Sequence, residues 1–234
     1  MQRIDKIISS QLNISRSVAR NDIRIGKVFV DGELIRDPSF QADPERSFIK
    51  YCGRPVCYKE YVYILMNKPK GVLSASEDKK RETVVDLVPD ELRRGGLAPV
   101  GRLDKDTTGL LIITDDGEFA HNVISPKKNV VKTYKVELDG PVTQEMAELF
   151  EKGVVLADGT KCRPAVLRDL GKNTAEIKIS EGKYHQIKRM FGVVGLGVNQ
   201  LERVALGGLA LPEGLAFGEC RELSKSELEQ IFSN

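Results

Sequence analysis

Ile4, Ile7, Ile8 and Leu12 recur at helical spacing, which predicts a short amphipathic helix over residues 3 to 12. "NIS" interrupts that pattern. Ser15 then suits the N-cap of a second helix running to about Ile25, and Gly26 supplies the left-handed stop favoured at a helix C-terminus. Next, "KVFVDGELI" alternates Val28 and Val30 with polar neighbours and carries Asp31-Gly32, the signal of a tight hairpin. Past Leu34, "RDPSFQADPERSFIKYCGRPVCYKE" loses its periodicity and gains proline and charge. That stretch reads as the end of a small sheet followed by a linker, with a domain boundary near Lys59.

The remainder alternates strands and helices without a regular beta-alpha-beta order. "YVYILMNKPKG" is a strongly apolar strand closed by proline and glycine, and "GLLIITDDG" is a second interior strand. "EFAHNVISP" has helical spacing up to Pro126. "KTYKVELDG" puts Lys132, Tyr134, Val136 and Leu138 on one face of a half-exposed strand. "TQEMAELFEKG" reads as a helix capped by Thr143 and stopped at Gly153, and "TAEIKIS" as another strand. "EGKYHQIKRMFGVVG" reads as a turn into a helix with Tyr184, Ile187, Phe191 and Val194 inward. The glycines of "LGVNQLERVALGGLALPEGLAFGE" read as tight turns between strands. The expected class is α+β, with a small module over 1–59 and a larger domain over 60–234 built on a largely antiparallel mixed sheet flanked by helices.

Composition narrows the chemistry. Hydrophobic residues make up 41% of the 234, enough for an ordinary core, and no apolar run approaches the roughly 18 residues needed to span a bilayer. The amphipathic N-terminus lacks the apolar block of a secretory signal, so the expected compartment is the cytoplasm. Cys52, Cys57, Cys162 and Cys220 lack paired zinc spacing, and with only His121 and His185 no metal centre is expected. The phosphate loop and the dinucleotide fingerprint are both missing, so no small-molecule cofactor is expected either. Chemistry is left to carboxylate, tyrosine, lysine and arginine. The net charge is only +2, but 30% of residues are charged and the cations cluster. Arg16, Arg20 and Arg24 drift only about 40° per step and share one helix face. His185, Lys188 and Arg189 share another face, and Lys127, Lys128, Lys132 and Lys135 crowd a third stretch. By spacing alone such groups are either solvated faces or phosphate contacts.

"GRLDKDTTGLLIITDDGE" holds four aspartates and no histidine or cysteine. By local pattern Asp104 is a turn residue whose side chain satisfies backbone donors. Two resemblances change that. "RIDKIISSQLNISRSVARNDIRIGKVFVDGELI" resembles the RNA-binding module of ribosomal small-subunit protein four, the alpha-L motif. "LMNKPKG", "GRLDKDTTGLLIITDDGE", "KTYKVEL" and "EGKYHQIKRMF", in that order behind it, resemble the pseudouridine synthases, in particular the subfamily that modifies small-subunit ribosomal RNA.

The resemblance implies that Asp104 is the nucleophile. A carboxylate can attack the anomeric carbon or carbon 6 of the base and leave again without a cofactor. Lys188 stands where the family carries a cation paired with the nucleophile, which offsets the cost of an ionised group in a dry site. Tyr134 matches a tyrosine that stacks on the target base and helps remove the proton from carbon 5. Arg102 is implied as a phosphate or flipped-base contact and Arg189 as a phosphate contact. In the small module, Arg16, Arg20 and Lys27 are implied as phosphate contacts on structured RNA. The expected partner is ribosomal RNA, within a small-subunit assembly intermediate and without a membrane, and the chain is expected to act as a monomer. A large-subunit (23S) target and a non-catalytic assembly factor are the alternatives. Asp104, Tyr134 and Lys188 together speak against the second.

Overall fold

In the computed structural model, which describes residues 1–233, helix α1 (Ile4–Gln11) and helix α2 (Arg16–Arg24) form where the apolar spacing demands them. The Ser15 side chain accepts the Val18 N–H at 3.2 Å, capping α2. Ile4, Ile7 and Ile8 of α1 and Ala19 and Ile23 of α2 are fully buried against Val28, Val30, Ile35 and Ile49. Each large aliphatic so placed contributes about 1.5–3 kcal/mol.

The strands Val28–Val30 and Glu33–Ile35 make the hairpin around Asp31 and Gly32, both with positive φ. The segment expected to be mostly linker contributes more. Ile49–Tyr51 pairs antiparallel with Val28–Val30, and Arg54–Pro55 adds a fourth strand. Only Ile49 and Tyr51 face inward in so short a strand, which is too little alternation to register in the sequence.

The chain divides into two compact units. Met1–Val62 forms the first together with Pro89–Leu97, and Tyr63–Val88 with the chain from Ala98 forms the second. Pro89–Leu97 lies far along the chain from the first unit, and its membership follows from Arg94, whose guanidinium donates to the carbonyls of Lys59 at 2.8 Å and Glu60 at 2.6 Å.

The second unit is built on a nine-stranded mixed sheet. Its main order is Val166–Gly171, Thr174–Ile179, Lys132–Leu138, Val198–Leu206, Thr108–Thr114, Tyr63–Lys68 and Cys220–Glu222. All the neighbours pair antiparallel except Val198–Leu206 with Thr108–Thr114, which run parallel. The glycine-dense stretch holds strands joined by turns, and its nine-residue strand is central to the sheet. Helix α3 (Gly117–Ile124) is capped by Asp116, which accepts the Phe119 N–H at 2.9 Å. Helices α4 (Gln144–Lys152) and α5 (Gln186–Val193) meet through Phe150 and Phe191, both fully buried with ring centroids 5.2 Å apart.

Tyr184 and Val194 depart from the inward face expected for them. Tyr184 is 75% exposed, because α5 starts only at Gln186 and His185 before it is left-handed, at φ 47°. Val194 lies past the helix and is only half-buried. Met190 takes the inward place beside Phe191.

Candidate active site

The loop Gly101–Thr107 runs directly into the central strand Thr108–Thr114. Gly109 opens that strand at φ 101°, and a Cβ there would meet the Arg203 carbonyl oxygen at 2.3 Å. Only glycine permits the parallel strand so close an approach, and the approach fixes the base of the loop.

Strand register lays Tyr134, Arg203, Gly109 and Lys68 in one row across four neighbouring strands. Residues paired across strands share a face, so this row is a common floor. Lys68 is fully buried there, and its ammonium donates to the carbonyls of Pro69 at 3.0 Å, Lys105 at 3.4 Å and Thr107 at 3.0 Å. Burial lowers its pKa to about 8, while Asp106 and Asp104 pull it back. Lys68 thus clamps the backbone on both sides of Asp106. A lysine ending the apolar run "YILMNK" is the one sequence signal of this role. Arg203 is also buried, at 4% exposure, and its Nε donates to the Leu110 carbonyl at 2.7 Å. Its Nη2 has no hydrogen-bond partner among the described residues.

Above this floor α5 delivers cations to the loop. The Asp104 carboxylate is 30% exposed, with His185 Nε2 at 3.7 Å from Oδ1 and Lys188 Nζ at 4.0 Å from Oδ2. Lys188 donates its short bond, 2.6 Å, to Asp106 instead. That bond, with burial working against it, holds the Asp106 carboxyl below the usual carboxylate range. The pairing expected between Lys188 and Asp104 is therefore shared. Asp106 fixes the lysine, and Asp104 lies within its field without being locked by it. His185 was read only as part of a cationic face, and the close approach to Asp104 comes from its left-handed backbone at the helix entry.

The other nominated residues divide. Tyr134 is 8% exposed in the floor row, with no hydrogen bond to Asp104 among the described residues. Arg102 is exposed on the same loop. Arg189 reaches Asp158 at 2.5 Å and the Tyr184 carbonyl at 3.5 Å, so it braces the turn ahead of α5.

In the first unit, Arg16 and Arg20 both bind Asp5, a fully buried carboxylate that Arg3 also contacts, at 2.9–3.1 Å. Burial pushes the Asp5 carboxyl up, but the three arginines together hold it far below the usual range. Lys27 donates to Asp22 at 2.7 Å, and the Tyr51 hydroxyl donates to the other oxygen at 2.5 Å. Arg16 and Arg20 remain half exposed, so each keeps donors turned to solvent while anchoring the helix pair.

Residues 62–192 match the family model described as RNA pseudouridylate synthase, and residues 2–46 match the S4 domain. The chain is 42% identical over 233 residues to the uncharacterized RNA pseudouridine synthase YtzG of Bacillus subtilis, covering 98% of each. It is equally 42% identical to the ribosomal small subunit pseudouridine synthase A of Escherichia coli, covering 98% of this chain and 99% of that one. A crystal structure of a pseudouridylate synthase superposes with a TM-score of 0.69 at 35% identity, covering 99% of this chain and all of the other.

Proposed function

The chain belongs to the RNA pseudouridylate synthase family, and from that premise we propose that it converts a uridine of small-subunit (16S) ribosomal RNA to pseudouridine with Asp104 as nucleophile. The observation that carries this reading is an accessible carboxylate flanked by the His185 imidazole at 3.7 Å and the Lys188 ammonium at 4.0 Å, with neither hydrogen-bonded to it. With no hydrogen bond from either neighbour, its oxygens stay available for attack.

The carboxylate attacks the anomeric carbon or carbon 6, and the bond between N1 and the ribose breaks. The uracil turns while held, carbon 5 bonds to the anomeric carbon and gives up its proton, N1 gains one, and the bond to Asp104 breaks to return the carboxylate. Substrate and product have the same atoms, so no co-substrate is consumed. Tyr134 stacks on the base and helps remove the proton from carbon 5. Arg102, exposed on the nucleophile's own loop, contacts the RNA left behind when the target flips out. Arg16, Arg20 and Lys27 add phosphate contacts from the S4 unit.

A target uridine must leave its stack to reach the carboxylate, and that is easiest before the surrounding RNA is packed. An assembling small subunit in the cytoplasm is thus the substrate in this reading. In this reading the protein acts as a monomer. The test follows tritium release from carbon 5 of labelled 16S rRNA, with carbodiimide mapping of the product. Native protein should form pseudouridine at one position and Asp104→Asn none. An active Asn variant would refute the nucleophile assignment.

A further inference from the structure

Tyr184 is 75% exposed, yet it is not loose. Its ring stacks on the His185 imidazole with centroids 3.9 Å apart and planes 17° from parallel. The imidazole in turn lies 3.7 Å from Asp104. The order carboxylate, imidazole, phenol ring places an open aromatic face one layer beyond the nucleophile.

The backbone beneath this pair is held from several sides. Arg189 donates to the Tyr184 carbonyl and is itself anchored by Asp158. Gln186 accepts the Lys183 N–H at 2.9 Å and donates to Glu181 at 2.9 Å. Lys183 Nζ bonds Glu181 at 2.5 Å and the Lys161 carbonyl at 3.0 Å. His185 is left-handed, a conformation that a non-glycine residue keeps only when its surroundings impose it. An aromatic ring so braced loses little further freedom when something stacks on it.

We propose that the Tyr184 ring is a stacking platform for a base adjacent to the target uridine, making Tyr184 a specificity-determining residue. This rests on the reading of Asp104 as nucleophile. An RNA strand whose flipped nucleotide sits at Asp104 must carry its neighbours past this ring. The chemistry suits a nucleobase, because the exposed face is aromatic and a base has a π-face to lay on it. His185 serves as a positioning residue that holds the platform at its distance from the carboxylate.

The experiment combines protein variants with RNA fragments of the target region lacking the base on the 5′ or the 3′ side of the target uridine. Base–aromatic stacking corresponds to a roughly five- to hundredfold effect. Tyr184→Ala should raise KM by that factor on intact RNA with kcat nearly unchanged, and Tyr184→Phe should behave as native. One of the two abasic fragments should weaken the native protein to a similar degree and leave Tyr184→Ala no worse than before. Additive losses with both fragments, or an unchanged KM for Tyr184→Ala, would overturn the platform. Turnover of intact RNA by native protein but not by Asp104→Asn, measured alongside, tells failure of this proposal apart from failure of the nucleophile assignment.

Discussion

Asp5 and Asp104 are both aspartates set among cations, and they are held in opposite ways. Asp5 is fully buried and receives hydrogen bonds from Arg3, Arg16 and Arg20, so its lone pairs are consumed in joining α1 to α2. Asp104 is 30% exposed, with the His185 imidazole at 3.7 Å and the Lys188 ammonium held off at 4.0 Å, because Asp106 takes the short bond from that lysine. The first arrangement spends its charge on structure. The second leaves a carboxylate in a positive field with its oxygens still open, which is what a nucleophile requires.

The largest break in the comparison comes from Asp104→Asn, which should lower turnover by at least about a thousandfold while the thermal midpoint stays near native. A comparable loss of stability would put Asp104 in the same class as Asp5. Next, Lys188→Met should reduce kcat by about a hundredfold and Lys188→Arg should restore most of it. Asp106→Asn, which frees Lys188 without removing it, should cost less than about tenfold. If Asp106→Asn proved as damaging as Lys188→Met, Asp106 would have a role beyond steadying the lysine.

Asp5→Asn should destabilise the first unit by about 1–3 kcal/mol, read by urea unfolding, and leave kcat at saturating RNA unchanged. Its pH dependence has a definite sign. The folded-state pKa lies below the unfolded value of about 3.9, so the stabilisation is complete above roughly pH 5 and fades as acid protonates the folded carboxyl. Native and Asp5→Asn stabilities should run parallel from neutral pH to about 5 and converge below about 4. Curves that stay parallel into stronger acid would remove the arginine cluster as the source of the difference.

The smallest effect tests whether Arg16 faces RNA as well as Asp5. Arg16→Gln should lower the salt dependence of rRNA binding by about one unit of slope, whereas Arg16→Lys should keep it. Equal slopes for all three proteins would confine Arg16 to its structural bond.

Much of this was legible along the chain. The isoleucine spacing, the Ser15 cap and Asp31-Gly32 specify the helix pair and hairpin through short-range geometry alone, and long alternating runs do the same for Lys132–Leu138 and Thr174–Ile179. The family was also readable, because "GRLDKDTTGLL" and "EGKYHQIKRMF" are long motifs. Short strands such as Ile49–Tyr51 were not, since two inward residues make no period.

What the sequence by itself determined is the longer elements and the residues that carry charge. Only the tertiary structure decided how those charges are spent. Asp5 lies 11 and 15 positions from Arg16 and Arg20, and Lys188 lies 82 positions from Asp106, so neither pairing has a local signature. The same holds for Lys68 beneath the loop and for His185 beside Asp104. Hydrogen bonds and ion pairs act over a few ångströms of space, and the folding that brings distant positions within that range is a property of the whole packed chain.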